Sequence, residues 1–126
     1  MFLCKRGRSD VEISVSLLSG RVREPTEQDF GKRSRTMKIL VATTDNVTTL
    51  EADDSGNLCW CIDASIAIHE KNMRSHNGSM FTMGKGSIIN GSCKQKKMAR
   101  SSTEGELNAV DERLSHDAWT KRFIEC

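Results

Sequence analysis

The chain has 126 residues, of which 37% are hydrophobic and 29% are charged, and its formal net charge is +2. This length allows one ordinary domain at most, or one small domain with an appendage. The nearly balanced charge argues against a protein that binds nucleic acid by bulk electrostatics alone, and the composition lies outside the range of disordered chains. We therefore expect a globular chain with a modest core.

The first elements of the chain surround its single proline, Pro25. Residues 10–22 fit both a helical face and the alternation of a strand, so periodicity leaves this segment ambiguous. Directly after the proline, Thr26 and Asp29 have the spacing of a capping box, with Asp in place of the usual Glu or Gln. Apolar residues at helical spacing then predict a helix over 26–42.

After these helices the pattern becomes that of strands. Residues 46–52 are rich in β-branched side chains and predict a short strand that ends in a turn. Residues 57–68 form the strongest strand candidate, and because both of its faces are largely apolar we expect it to be central in a sheet. Residues 80–83 and 87–90 flank a glycine-rich turn and predict a hairpin.

A last helix is predicted over 103–123. Its apolar side chains recur on one helical face, which we expect to pack against the sheet. These residues are Leu107, Val110, Leu114 and Ala118.

Asp63 is the residue that chemistry singles out. An ionised carboxylate inside an apolar strand is costly unless it is paired or binds a metal ion. The residues alone leave open both a metal or catalytic role and a salt-bridged or strand-end aspartate. Glu106 opens the last helix beside Leu107 and could lean towards the sheet, although a solvated first-turn acid is the simpler interpretation.

The five cysteines are Cys4, Cys59, Cys61, Cys93 and Cys126. An odd number without paired spacing, in a chain without a recognisable secretory signal, favours reduced thiols. We expect Cys59 and Cys61, which share a strand face, to be buried. No apolar stretch is long enough to span a membrane. We therefore expect an intracellular protein, cytoplasmic or nuclear, without a membrane partner.

Other patterns do not identify a site. His69, His76 and Cys93 lack the spacing of zinc ligands, and no combination of serine or cysteine with histidine stands out. A cluster of cations within seven positions contains Lys94, Lys96, Lys97 and Arg100. Such a cluster is more often a solvated surface than a binding site.

Several runs of the sequence resemble the opening of the RNase H domain in copia-type long-terminal-repeat retrotransposons. The most specific are WCIDASIAIH at 60–69 and SSTEGEL at 101–107. Shorter runs at 73–78, 83–86 and 94–96 resemble the same domain in the same order. Upstream, 8–11 and 21–26 look like the segment that joins this family's reverse transcriptase to its RNase H.

The resemblance implies an α+β fold, namely an incomplete RNase H-like mixed sheet with a C-terminal helix, preceded by two helices. It resolves residues 10–22 as a helix. It also implies two parts, 1–45 as the reverse transcriptase tail with its connection helices and 46–126 as the N-terminal part of the RNase H-like domain.

In this family, four carboxylates hold two Mg²⁺ ions that hydrolyse the RNA strand of an RNA–DNA hybrid. By position, Asp63 matches the family's first-strand aspartate and Glu106 its helix glutamate. The resemblance therefore implies that both are catalytic metal ligands and that they converge on shared cations. It also turns the basic residues Lys94, Lys96, Lys97 and Arg100 into candidate contacts to the phosphates of the hybrid.

Departures from the family's pattern lower the expected activity. The family's two remaining aspartates are expected beyond Cys126, so we expect a truncated domain with little or no nuclease activity. Gly105 stands where the family usually has alanine, and Cys61 where tyrosine is common. A decaying element would explain these changes. The alternatives are a non-catalytic module that binds nucleic acid through the basic stretch 94–100 and a structural relic.

Overall fold

The computed structural model describes residues 2–53, 56–69 and 73–124. The chain forms two compact units, Met1–Thr49 and Leu50–Cys126. Among the described residues, no helix combines the length and the apolar character that a membrane span requires.

The first unit is helical. It contains α1 (Phe2–Arg6), a short 3-10 helix (Ser9–Val11), α2 (Glu12–Ser19) and α3 (Glu27–Ala42). The helical interpretation of residues 10–22 is therefore confirmed.

The predicted capping box begins α3. The Thr26 hydroxyl accepts a hydrogen bond from the Asp29 amide at 3.3 Å, and an Asp29 carboxylate oxygen accepts one from the Thr26 amide at 3.0 Å. Arg21 donates to the second carboxylate oxygen at 3.0 Å. The Thr26 backbone N–H and hydroxyl, followed by the Arg21 charge, lower the pKa of Asp29. These contacts stabilise the ionised carboxylate at the helix start.

The described residues of the second unit form five strands and one helix. These elements are β1 (Glu51–Ala52), β2 (Cys59–His69), β3 (Arg74–Thr82), β4 (Gly84–Lys85), β5 (Ile89–Lys94) and α4 (Ser102–Ile124). The strands form an antiparallel three-stranded sheet in the order β2-β3-β5 and a separate antiparallel pair of β1 with β4. An α+β fold with a C-terminal helix is thus confirmed.

Two strand predictions are wrong in detail. Only Glu51–Ala52 of the predicted strand 46–52 is a strand, because its partner β4 has only two residues. Part of the turn predicted after it lies outside the described residues. Among the described strands, β2 lies at an edge and β3 takes the central position. The predicted hairpin is confirmed, since Phe81 of β3 pairs with Ile89 of β5.

Helix α4 covers one face of the three-stranded sheet. We call this the covered face. Its residues are Trp60, Ile62 and Ala64 of β2, Ser75, Asn77, Ser79 and Phe81 of β3, and Ile89, Gly91 and Cys93 of β5. A Cβ at Gly105 of α4 would lie 3.9 Å from the Ala64 Cβ and 3.7 Å from the Ser75 Oγ. The neighbouring residues of each strand point to the opposite, open face.

A buried polar network joins the covered face to α4. Gln95 is fully buried and donates through Nε2 to the Asn77 Oδ1 at 2.6 Å and to the Gly105 carbonyl at 2.7 Å. Asn77 Nδ2 in turn donates to Glu112 at 2.9 Å. The other Glu112 carboxylate oxygen accepts the Lys96 amide at 2.9 Å. This network links β3, the loop after β5 and the helix.

The predicted packing face of α4 is wrong. Leu107 and Leu114 are 66% and 55% exposed, whereas Gly105 and Ala109 are buried. The part of the covered face beneath Gly105 is lined by the small side chains of Ala64 and Ser75, so glycine and alanine allow the closest approach. The apolar periodicity of α4 therefore marks its outer side.

Candidate metal and nucleic-acid sites

Asp63 lies in the middle of β2, where it pairs with Gly78 of β3. Its side chain is exposed, which contradicts the expectation of an acid in a buried strand. The reason is geometric. Ala64 points towards α4, so the neighbouring Asp63 points to the open face. Solvent can hydrate this carboxylate, and its charge needs no buried partner.

Glu106 lies in the first turns of α4 and is half-buried. It follows Gly105, which packs against the covered face, and therefore stands at the flank of the contact between helix and sheet. Glu104 has a separate structural role: its carboxylate accepts the Arg100 amide at 2.7 Å, while its own amide donates to Ser101 at 3.1 Å. These bonds stabilise the helix start.

The two acids start from different sides of β2, which is an edge strand of the described sheet. Asp63 projects from the open face, and the helix that carries Glu106 packs on the covered face. Within residues 2–53, 56–69 and 73–124, no group of three or more histidine, cysteine, aspartate or glutamate side chains is placed to hold a metal ion. The described residues therefore do not fit the two-metal arrangement that the resemblance implies.

The basic cluster forms the end of β5 and the loop before α4. Lys94, Lys96, Lys97 and Arg100 are all exposed. Buried Gln95, whose amide donates to the Ser75 carbonyl at 2.9 Å, anchors the loop between the first two of these lysines. Only one of the four cations has a described carboxylate partner, Lys97, whose ammonium group lies 3.2 Å from Asp111. The cluster is thus a positive surface on an anchored segment.

The cysteine thiols on the open face differ from their prediction. Cys59 and Cys61 are exposed, with their sulfur atoms 4.0 Å apart. The hydrogen bond and the charge of Cys61, followed by burial, raise the pKa of Cys59. Cys4, Cys59, Cys61 and Cys93 are in the thiol form, and Cys126 lies outside the described residues.

Sequence reasoning missed a group of three side chains on the open face. His76 lies between His69 and Ser92, 3.1 Å from the first and 2.7 Å from the second. The three residues come from three different strands, so no local spacing reveals them. A sequence signal for this group would be histidines at facing positions of neighbouring strands. Such positions can be recognised only when the strand register is known.

The chain resembles known proteins in sequence, although no known family profile and no solved structure matches it. It is 30% identical over 112 residues to the retrovirus-related Pol polyproteins from transposons RE1 and RE2 of Arabidopsis thaliana. The match covers 89% of this chain but only 8% of each polyprotein. The predicted relation to a retrotransposon polyprotein is thereby confirmed.

A shorter relative matches over most of both lengths. The secreted RxLR effector protein 161 of Plasmopara viticola is 27% identical over 119 residues, which are 94% of this chain and 84% of that protein. A segment similar to this chain therefore also occurs in a short protein.

Proposed function

We propose that the chain corresponds to the RNase H region of a copia-type retrotransposon polyprotein and does not itself cleave RNA–DNA hybrids. The similarity to two Pol polyproteins along 89% of the chain supports the origin. The order of the runs around Asp63 and Glu106 supports the region. The observation that carries the proposed inactivity is that, among the described residues, no group of three or more histidine, cysteine, aspartate or glutamate side chains is placed to hold a metal ion.

The chemistry of hybrid hydrolysis explains why this placement matters. Two Mg²⁺ ions roughly 4 Å apart must share carboxylate ligands to activate water and to stabilise the leaving oxygen. Mg²⁺ requires near-octahedral oxygen ligands at fixed distances. A single exposed carboxylate such as that of Asp63 offers only one of these ligands. No step of hybrid hydrolysis is therefore assigned to the described residues.

A cleavage assay tests this proposal. The chain is incubated with Mg²⁺ and a hybrid that carries a fluorescent RNA strand, beside a known ribonuclease H as positive control. We expect no cleavage above the buffer rate. Cleavage that disappears in Asp63→Asn and persists in Asp111→Asn would overturn the proposal, because Asp111 is an exposed acid on α4 outside the implied site.

Binding of the hybrid's phosphates is the second candidate function. It is favoured by the four exposed cations of the 94–100 segment and by the anchoring of this segment through Gln95. Each phosphate contact would contribute about 0.9 to the slope of log affinity against log salt concentration on duplex nucleic acid. The basic segment can supply several such contacts without any metal.

A binding titration separates the two candidates. We expect the triple variant Lys94→Ala, Lys96→Ala and Lys97→Ala to weaken hybrid binding and to flatten its salt dependence. Asp63→Asn should leave binding unchanged. The control replaces two other exposed lysines, Lys32 and Lys38 of α3, by alanine. An equal loss of affinity in this control would exclude a specific role for the basic segment.

A further inference from the structure

Three side chains form a hydrogen-bonded row across the open face of the sheet. His76 of β3 places its Nε2 atom 2.7 Å from the Oγ of Ser92 on β5 and its Nδ1 atom 3.1 Å from the Nε2 of His69 at the end of β2. The two imidazole rings are 5.3 Å apart and tilted by 36°. A hydroxyl, a base and a third group that orients the base are the parts of an activated nucleophile.

The row has a proton arrangement that suits this role. With one proton on Nδ1, His76 donates to the Nε2 of His69 and keeps a lone pair on its own Nε2. That lone pair accepts the Ser92 hydroxyl proton at the observed distance. When His76 takes up a second proton, its two ring N–H groups have acceptors on both sides.

Burial keeps the base in its neutral form. His76 is only 3% exposed, although it belongs to the open face. Burial, followed by the smaller effect of the His69 charge, lowers the pKa of His76 below the usual value of a histidine. The imidazole is therefore neutral near pH 7, as a general base must be. Ser92 is half-buried.

We propose that Ser92 is a nucleophile for acyl transfer, that His76 is its general base, and that His69 is a positioning residue, in a site that hydrolyses small carboxylic esters. A half-buried serine beside a buried histidine suits a small substrate rather than a bulky one. Asn90 and Lys94 lie two residues on either side of Ser92 and share its face of β5. The side-chain amide of Asn90 and the ammonium group of Lys94 are the candidate donors to the oxyanion of a tetrahedral intermediate.

The reaction balances with an ester and water as the reactants. Ser92 Oγ bonds to the carbonyl carbon while its proton moves to His76 Nε2. The bond to the alkoxide then breaks, and His76 returns this proton to the leaving alcohol. Water attacks the acyl group on Ser92, gives a proton to His76 and releases the carboxylic acid as Ser92 Oγ regains its proton.

Covalent labelling of the full chain tests the proposal without any variant. The chain is treated with a fluorophosphonate, a probe that forms a stable bond with activated serines, and its peptides are analysed by mass spectrometry. We expect an adduct on Ser92, and no adduct on Ser14, a serine of similar exposure in the first unit. Absence of an adduct on Ser92 would overturn the proposal, as would equal labelling of Ser14.

The pH dependence of labelling identifies the base. The described titratable and charged groups that share the open face with His76 are Cys59, Cys61, Asp63 and His69 of β2, Arg74 of its own strand and Lys94 of β5. Histidine is the side chain whose ordinary charge change falls nearest to neutral pH. The labelling rate should therefore fall as the pH drops through the pKa of His76. A rate that does not fall between pH 8 and the lowest pH at which the chain stays folded would contradict a histidine base.

Variants separate the roles of the three residues. With p-nitrophenyl acetate, Ser92→Ala and His76→Gln should lower the rate by about 100-fold or to background, the usual scale of general-base catalysis. His69→Gln should lower kcat with little change in KM. It should also move the pH midpoint of the rate upwards, because the His69 charge no longer opposes protonation of His76. A lower rate with an unchanged midpoint would remove His69 from the site. Ser14→Ala should match the parent chain.

Discussion

The covered and open faces of the three-stranded sheet carry different kinds of side chain, although the residues of both faces alternate along the same strands. Beneath α4, buried Asn77 uses both ends of its side-chain amide, Gln95 donates to Asn77 and to Gly105, and small residues allow the helix to approach. On the opposite face lie groups that titrate or react, among them Asp63, His76 and Ser92. A strand thus directs alternate residues to structural and to chemical tasks. A slip of one residue in register would exchange them.

The largest expected effect concerns the amide network of the covered face. Asn77→Ala removes the hydrogen bonds to Gln95 and Glu112 and leaves buried polar groups without partners. We expect the free energy of unfolding to fall by about 3 kcal/mol, since each unsatisfied buried group costs roughly 1–3 kcal/mol. Urea denaturation followed by Trp60 fluorescence measures this change.

The control for this prediction lies on the open face. Ser65→Ala should change the unfolding free energy by no more than about 0.5 kcal/mol, the usual range away from networks and cores. A comparable loss in both variants would show that the two faces do not differ in this way.

A pair of glycines gives the second test. A Cβ at Gly91 would collide with the Arg113 side chain and with the Ser79 Oγ on the covered face. A Cβ at Gly78 of the open face would meet only the Asp63 carbonyl, at 4.0 Å. We expect Gly91→Ala to lower the unfolding free energy by about 1–3 kcal/mol through overpacking, and Gly78→Ala to be neutral or slightly stabilising.

Urea denaturation of the two glycine variants makes the comparison direct. Because both replacements add one methyl group to a strand, β-propensity affects them alike. If Gly78→Ala is the more destabilising of the two, α4 does not cover the face that we assign to it.

A pH titration of stability probes the open face. Because burial lowers the pKa of His76, the unfolded chain binds more protons than the folded chain between the folded and unfolded pKa values. The free energy of unfolding should therefore be largest above the ordinary histidine pKa and should decrease as the pH falls through it. In His76→Gln this part of the pH dependence should be absent. An identical pH profile in both proteins would contradict the burial of His76.

The smallest effect is expected at the basic cluster. Lys97→Ala removes an exposed ion pair with Asp111, in which both side chains are more than half exposed. Such pairs contribute about 0–1 kcal/mol, and their contribution falls with added salt. The melting temperature of this variant should therefore match that of the parent chain in 0.5 M salt. A clear difference at high salt would require Lys97 to contribute through packing instead.

The helices and the long strand β2 could be predicted because local signals specify them. The capping box at Thr26 and Asp29 is a contact within one turn, and the alternation of Trp60 and Ile62 needs no partner strand. The relation to a retrotransposon polyprotein was also readable, because it depends on motifs that lie along the chain in order.

The remaining features depend on contacts between distant residues. The polar first part of β3, residues 74–79, carried no strand signal, because the buried amide of Asn77 is satisfied by Gln95 and Glu112 far along the chain. The stripe of Leu107 and Leu114 led to a wrong prediction of the side of α4 that packs on the sheet. Periodicity shows an apolar face but not whether anything packs on it. The prediction that Asp63 lies in a buried strand was wrong for a related reason, because an apolar strand need not be covered on both of its faces.

The central claim is that Asp63 and Glu106 do not share a metal ion in this chain, and paramagnetic broadening by Mn²⁺ tests it most directly. Mn²⁺ prefers the same oxygen ligands as Mg²⁺ and broadens the NMR signals of nuclei close to it. We predict that low concentrations of Mn²⁺ do not broaden the amide signals of Asp63 and Glu106 together. Saturable broadening of both signals with one affinity, lost in Asp63→Asn, would demonstrate a shared metal site and contradict this account.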